Sequence, residues 1–163
     1  MGNRAVITFA EEKYFLNNVG IYLHWNGGID SIMNFLTYAK MKKYFHDESY
    51  AMARLTQLIG NFFGGNTSIG IGICRQLDWS NMDNGVYFVG KNFELEKQIF
   101  YLRDFENPEK DKKEVVNIDN KNDYIDIDFL LEIDNNQPKE EQLGEKQIKK
   151  FLKDMFDNKK QEE

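Results

Sequence analysis

The stretch "YLHWNGGIDS" combines residue types that bind ligands with a spacing that suits a strand-to-helix turn. An apolar run ends there, five candidate ligand-binding residues follow, and a helical pattern begins. The five are His24, Trp25, Asn26, Gly27 and Gly28. The N-terminal amides of a helix carry partial positive charge, and glycines let a phosphate approach the backbone closely. Trp25 can stack on a base and Asn26 can bond its polar edge, so a small nucleotide is one candidate ligand.

The same stretch also fits a turn that only connects a strand to a helix. It matches neither the GxGxxG pattern nor a P-loop, because no Lys follows the glycines. In either role the chain must reverse within two residues, so we expect a positive φ at Gly27 or Gly28. Asp30 or Ser31 is the expected helix N-cap.

Other catalytic and metal-binding patterns are weak in this sequence. His24 and His46 are the only histidines, and neither lies in a nucleophile motif. Cys74 is the single cysteine, so a zinc site would need carboxylates at no standard spacing. A calcium loop counted from Asp78 has Asp83 where glycine is required. We expect no catalytic residue, no metal and no cofactor, and the lone thiol indicates a reducing compartment.

Charge is concentrated in the last third of the chain. Residues 1–102 carry 9 acidic and 9 basic side chains, whereas residues 103–163 carry 18 acidic and 12 basic ones, which accounts for the net charge of −6. No basic patch with interleaved aromatics is present, so direct binding to duplex nucleic acid is not expected. An acidic surface suits a basic partner, including a protein that itself binds nucleic acid.

Two further stretches supply candidate protein-interface residues. Trp79 and Asp83 lie in the turn-rich "LDWSNMDNG", and an exposed tryptophan is a typical interface anchor, although a core role fits it equally. Glu140 and Glu141 lie in the acidic third. No apolar run is long enough to span a membrane, and the first residues carry no long apolar segment, so we expect a cytoplasmic protein.

The patterning predicts one α+β domain, with a mainly antiparallel sheet packed by two central helices. Strands are expected at 5–9, 19–25, 67–74 and 86–89, with a type I′ turn at Asn84-Gly85. Glycines alternate in the third of these strands, at Gly70 and Gly72, which predicts a close neighbour on one face. The helices begin after Gly28 and after Asp47 or Ser49, and the second ends at Gly64-Gly65.

The remaining chain divides by composition. We expect a compact α+β core at 1–105, a polar loop insert at 106–122, and an acidic C-terminal helical segment of the same domain at 123–163. Within the last segment, "DIDFLLEID" alternates like a strand but has Asp126 or Asp128 as a helix cap; we favour a helix. The insert is too polar to bury much apolar area, so its deletion is expected to change the melting temperature by only a few degrees.

The motifs "MGNRAVITF", "VGIYLHWNGG", "ARLTQLIGNFFGG" and "DNGVY" resemble small proteins carried by phages, prophages and plasmids of Gram-positive and related bacteria. The resemblance covers residues 1–102 and, through "LLEIDNNQP", part of the remainder. It implies a setting in which small acidic proteins act as anti-defence factors, including anti-CRISPR inhibitors. We therefore expect a non-enzymatic inhibitor that binds a host defence protein. The alternatives are a protein that sequesters a nucleotide signal at "HWNGG", and a nucleotide-acting enzyme with His24 as its base.

Overall fold

A six-stranded mixed sheet forms the centre of the fold in the computed structural model, which describes residues 2–44 and 47–162. The strands are β1 (Ala5–Thr8), β2 (Val19–Leu23), β3 (Ile69–Ile73), β4 (Val86–Val89), β5 (Leu95–Leu102) and β6 (Lys112–Val115). Their order across the sheet is β3-β2-β1-β4-β5-β6. All neighbours are antiparallel except β1 and β4, which run parallel. The expected α+β domain with a mainly antiparallel sheet is confirmed.

The α-helices of the described chain pack on one face of this sheet. They are α1 (Ile29–Met41), α2 (Glu48–Phe63), α3 (Ile127–Asn135) and α4 (Glu145–Lys159). Alternate strand residues such as Ile7, Ile21 and Tyr87 join the core beneath the helices, because successive side chains of a strand point to opposite faces. The intervening residues Val6 and Phe88 belong to a second core on the other face.

A 3-10 helix, Glu12–Asn17, covers the second face of the sheet. Its Phe15 packs edge-on against Phe88 at 5.4 Å and stacks with Tyr101 at 5.2 Å between ring centroids. Gly20 in β2 lies beneath the buried Cys74, whose Sγ is 2.5 Å from the position that a Cβ on Gly20 would occupy. Strands β1 and β4 are therefore packed on both faces, between two cores.

The helices that have a side-chain N-cap, α2 and α3, begin where the sequence predicts. Asp47 caps α2 by accepting from the amides of Ser49 and Tyr50, and Gly64 ends that helix with φ +65°. Asp126 caps α3, which confirms the helical interpretation of "DIDFLLEID". For α1 the expectation is wrong, because Gly28 is the N-cap and no side chain caps the helix. Ile29, Asp30 and Ser31 are already helical.

The expected polar loop at 106–122 contains an edge strand. Strand β6 pairs with β5, and Lys113 on it forms an ion pair with Glu12 at 2.5 Å. A strand with polar side chains can form here because an edge position supplies backbone hydrogen bonds without requiring both faces to be buried. The segment is exposed along most of its length, as its composition predicts.

The turn expected at Asn84-Gly85 does not join neighbouring antiparallel strands. Of these two residues only Gly85 has a positive φ, +67°, and the chain there enters β4 beside the parallel strand β1. The β4–β5 hairpin turns instead over residues 90–94, where Asn92 and Phe93 adopt positive φ. A Cβ at Gly70 or Gly72 would meet neighbours only at 4.0 and 3.5 Å, so the close approach expected along β3 is also wrong.

Candidate functional site

The turn after β2 is built by Asn26 rather than by a glycine. Asn26 has φ +55°, and its side-chain amide donates to the Ser31 hydroxyl at 3.2 Å. Asparagine tolerates this left-handed conformation better than other non-glycine residues. The preceding His24 amide donates to the Ser68 carbonyl at 2.8 Å, which ties the turn to β3.

Gly27 is required by close packing and not by its own φ angle. Its N–H donates to the Asn3 carbonyl at 2.8 Å, and its carbonyl accepts from the buried Tyr87 hydroxyl at 2.8 Å. A Cβ on Gly27 would lie 2.6 Å from the Asn3 carbonyl oxygen and 2.8 Å from the Cβ of Ala5. Neither Gly27 nor Gly28 has a positive φ, so the expectation of a left-handed glycine is wrong.

The N-terminus of α1 is poorly suited to a phosphate. Asp30 lies in the first helical turn, and its Oδ1 is 2.7 Å from where a Cβ on Gly28 would project. A carboxylate there stabilises the positive end of the helix dipole and repels an anion. The amide of Asn26 is bonded to Ser31, and the backbone of Gly27 is bonded to Asn3 and Tyr87. The geometry favours a structural role for Asn26, Gly27 and Gly28.

Three neighbouring rings are presented on the surface beside this turn. The Tyr22 hydroxyl and the His24 Nδ1 are hydrogen bonded at 3.0 Å. The rings of His24 and Trp25 meet edge to face, with centroids 5.2 Å apart. Trp25 remains 45% exposed and His24 is exposed, although both follow directly from a buried strand.

Arg4 joins this surface to the loop that precedes β4. Its Nε donates to Asp83 Oδ2 at 2.7 Å, and its Nη1 donates to Asp78 Oδ2 at 2.8 Å. The side-chain hydrogen bond from Arg4 is the largest cause that holds the pKa of Asp83 below its usual value, and the Arg4 amide and charge act in the same direction. Asn81 holds the loop in shape, because its side-chain oxygen accepts from the amides of Asp83, Asn84 and Gly85. Asp83, expected at a protein interface, is thus an ion-pair partner that positions Arg4.

The structure brings these two parts of the sequence into one surface. Burial is the largest cause of the raised pKa of Tyr22, and the nearby charges of Asp78, Arg4 and Asp83 also act on it. We call the surface formed by Tyr22, His24, Trp25, Arg4 and Asp78 the aromatic corner. Arg4 and Asp78 carry no local signal for this role, because about 74 residues separate them in sequence.

The other expected interface residues lie elsewhere. Trp79 is half-buried against Phe15 and Tyr101, with ring centroids 6.1 and 5.4 Å away, so it belongs to the second core. Glu140 and Glu141 are exposed in the α3–α4 connection, where Lys42 at the end of α1 donates to the Glu141 backbone carbonyl. Trp79 and Glu141 are on opposite sides of the sheet, and no single patch includes all of these residues.

The histidine and cysteine weighed for catalysis lie in different surroundings, His24 exposed at the end of β2 and Cys74 buried. Within the described ranges, 2–44 and 47–162, no group of three or more His, Cys, Asp or Glu side chains could hold a metal ion. His24 contacts a phenol and an indole rather than a nucleophile, and His46 lies outside the described residues. Burial raises the pKa of the Cys74 thiol, which disfavours the reactive thiolate. Of the helices that the structure describes, none has the length and apolarity to cross a membrane.

Comparison of the chain with protein-family models, curated proteins and solved structures gives no match. The aromatic corner is therefore identified by its geometry.

Proposed function

We propose that this protein is a non-enzymatic inhibitor that binds a partner protein through the aromatic corner. The observation that carries the proposal is the exposure of Trp25 beside His24 and Tyr22 on a rigid turn. Tryptophan, tyrosine and arginine dominate the energetics of protein interfaces. Tryptophan and tyrosine do so because they offer large contact areas with few rotatable bonds.

Rigidity makes this surface suitable for tight binding. The turn is held on Asn3, just before β1, by two main-chain hydrogen bonds, from Asn3 N–H to the His24 carbonyl at 2.9 Å and from Gly27 N–H to the Asn3 carbonyl at 2.8 Å. Asn26 and Tyr87 add side-chain bonds to the same turn. Side chains that are already ordered lose less conformational entropy when a partner binds.

The partner surface that fits the corner is an apolar pocket with a basic margin. The pocket would receive the indole of Trp25, and a cation on the margin would approach Asp78, whose side chain is 43% exposed. The net charge of −6 favours attraction of a basic partner at long range, including a nucleic-acid-binding effector. The mobile-element setting implied by the sequence resemblance makes a host defence protein the proposed partner class.

Glu140 and Glu141 fit this proposal as steering charges. They are exposed and lie apart from the corner, so their effect on a basic partner is long-range and screened by salt. We expect Glu140→Lys with Glu141→Lys to slow association more than it speeds dissociation. Kinetics that are unchanged in this variant and insensitive to salt would exclude steering by the acidic segment.

Affinity capture from a host lysate, with matched variants, tests the proposal. We expect wild-type protein to capture a partner, and Trp25→Ala to bind that partner at least tenfold more weakly, which is the usual effect of removing a tryptophan anchor. Phe156→Ala is the control, because Phe156 on α4 is 40% exposed, close to the exposure of Trp25, and lies in the helical layer away from the corner.

The captured protein is then purified and its activity measured with added inhibitor. The proposal predicts inhibition by wild-type protein and by Phe156→Ala, and loss of inhibition with Trp25→Ala at unchanged melting temperature. Equal capture and inhibition by all three proteins would exclude the aromatic corner as the binding surface. A product of chemical modification on the partner would exclude a non-enzymatic mechanism.

A further inference from the structure

The two edges of the sheet differ in how they are protected. Strand β6 has the sequence Lys112-Lys113-Glu114-Val115, and charged side chains are a common protection against pairing at a sheet edge. Strand β3, at the other edge, has the sequence Ile-Gly-Ile-Gly-Ile and no charge. Ile71 is 57% exposed and Ile73 is 38% exposed. Only β3 is therefore an unprotected apolar edge.

The backbone of β3 has hydrogen-bonding groups that point away from β2. His24 N–H donates to the Ser68 carbonyl and Cys74 N–H donates to the Asn18 carbonyl, so the even-numbered residues of β3 face β2. Because bonding alternates along an antiparallel pair, the N–H and C=O groups of Ile69, Ile71 and Ile73 face outward. Within the described part of the chain, the outward N–H and C=O groups of Ile69 and Ile71 and the N–H of Ile73 have no hydrogen-bond partner. The Ile73 carbonyl accepts the first bond of the 3-10 helix Cys74–Gln76 and keeps one lone pair for a second donor.

The sequence of β3 reads the same in both directions. A two-fold axis through Ile71 would pair Ile69 of one copy with Ile73 of the other and place the two Ile71 residues opposite each other. In this register the three isoleucines form the hydrogen-bonded pairs, and their N–H and C=O groups already face outward, as an antiparallel pair requires. Each glycine would face a glycine, and Arg75 would lie opposite Thr67, so no like charges would meet.

We propose that β3 joins two copies of this chain into a symmetric dimer with one continuous sheet. Ile71 lies on the same face as its β2 partner Ile21 in the helix-side core. Pairing would therefore extend a row of isoleucines across the two-fold axis and remove the exposed side chains from water. Self-complementary pairing of one patch with its copy is the arrangement that a two-fold interface needs.

The dimer leaves the aromatic corner free. The His24 amide bonds to Ser68, so each corner lies beside the Ser68 end of its own β3. Antiparallel pairing places those two ends at opposite ends of the interface, which makes the assembly bivalent. The dimer does not depend on the proposed function, because the residues that pair and the residues of the corner are different.

Sedimentation velocity of the full chain over a range of micromolar concentrations tests the dimer. We expect wild-type protein to dimerise and Ile71→Lys to weaken self-association by about a hundredfold or more, because two lysines would meet at the two-fold axis. Val115→Lys is the matched control. Val115 is 59% exposed, and its backbone also faces outward, since the next amide, that of Val116, bonds to the Gln98 carbonyl on β5. We expect this variant to dimerise as wild type does.

A charge-swap experiment tests the register. Ile71→Glu alone should be monomeric, whereas an equimolar mixture of Ile71→Lys and Ile71→Glu should recover a heterodimer through a Lys–Glu pair. Recovery also shows that both variants are folded. A monomeric wild type, a dimeric Ile71→Lys variant, or a mixture that fails to associate would each overturn the proposal. Trp25→Ala, which tests the proposed function, should leave the dimer unchanged.

Discussion

Replacing Gly27 with alanine measures how tightly the aromatic corner is held on the sheet. The added Cβ would lie 2.6 Å from the Asn3 carbonyl oxygen and 2.8 Å from Ala5 Cβ, whereas ordinary van der Waals contacts of a Cβ are 3.4 Å or longer. Both obstacles belong to the chain of β1 and its N-terminal approach, so relief requires movement of backbone. We therefore expect Gly27→Ala to destabilise the domain through overpacking and not through its φ angle.

The expected loss in the free energy of unfolding is about 2 kcal/mol, within the usual range for overpacking a core site. A chain of this size would then melt about 4–8 °C lower. Part of the loss comes from the Tyr87 hydroxyl, whose bond to the Gly27 carbonyl at 2.8 Å would lengthen as the turn shifts. Tyr87→Phe separates that contribution, with an expected loss of about 1 kcal/mol.

Gly28→Ala is the matched control for Gly27→Ala. Gly28 has φ −68°, and a Cβ there would lie 2.7 Å from Oδ1 of the Asp30 carboxylate, which can rotate away, and at an ordinary 3.5 Å from the Asn3 side-chain amide. Urea unfolding followed by circular dichroism should therefore show a small change for Gly28→Ala and a large one for Gly27→Ala. If the two variants unfold at the same urea concentration, the close approach of Gly27 to β1 does not limit stability.

Further predictions concern the helical layer, acid stability and the edge strand. Asp134→Ala should cost about 3 kcal/mol in urea unfolding and loosen α4 in hydrogen exchange, because the buried carboxylate accepts from Tyr38 and from two amides. Asp83→Asn should cost about 1 kcal/mol at neutral pH. The difference in the free energy of unfolding between Asp83→Asn and wild type should shrink as the pH falls below about 3.8. The reason is that the pKa of Asp83 in the folded protein lies below that value, so wild type loses the stability of the ion pair when Asp83 is protonated. Composition alone predicts that deleting 106–122 changes the melting temperature by only a few degrees, but the structure places β6 in this segment, so we now expect a larger decrease. An unchanged melting curve would contradict this.

Elements set by local chemistry could be predicted from the sequence. Helix α2 begins at a side-chain cap, Asp47, and ends at a left-handed glycine, Gly64, and both signals lie within a few residues of the ends that they define. Strands β1 and β2 carry runs of buried apolar residues. In each case the interaction that selects the conformation is between residues close in sequence.

Other features required partners that are distant in the chain. Strand β6 has a polar sequence and exists because β5 offers a free edge. Gly27 looks like a turn glycine, but Asn3 and Tyr87 determine its role, and Asn26 takes the left-handed conformation. A periodic pattern cannot show which backbone will approach a glycine from another strand.

The aromatic corner shows the same division. Tyr22, His24 and Trp25 are close in sequence, and the sequence by itself determined that they lie where a strand ends and before a helix begins. Their exposure, and the pairing of Arg4 with Asp78, were decided by the tertiary structure. The reason is that β1 and β4 run side by side, which places residue 4 against a loop about 74 residues later; parallel pairing of this kind depends on the whole sheet and has no local signal.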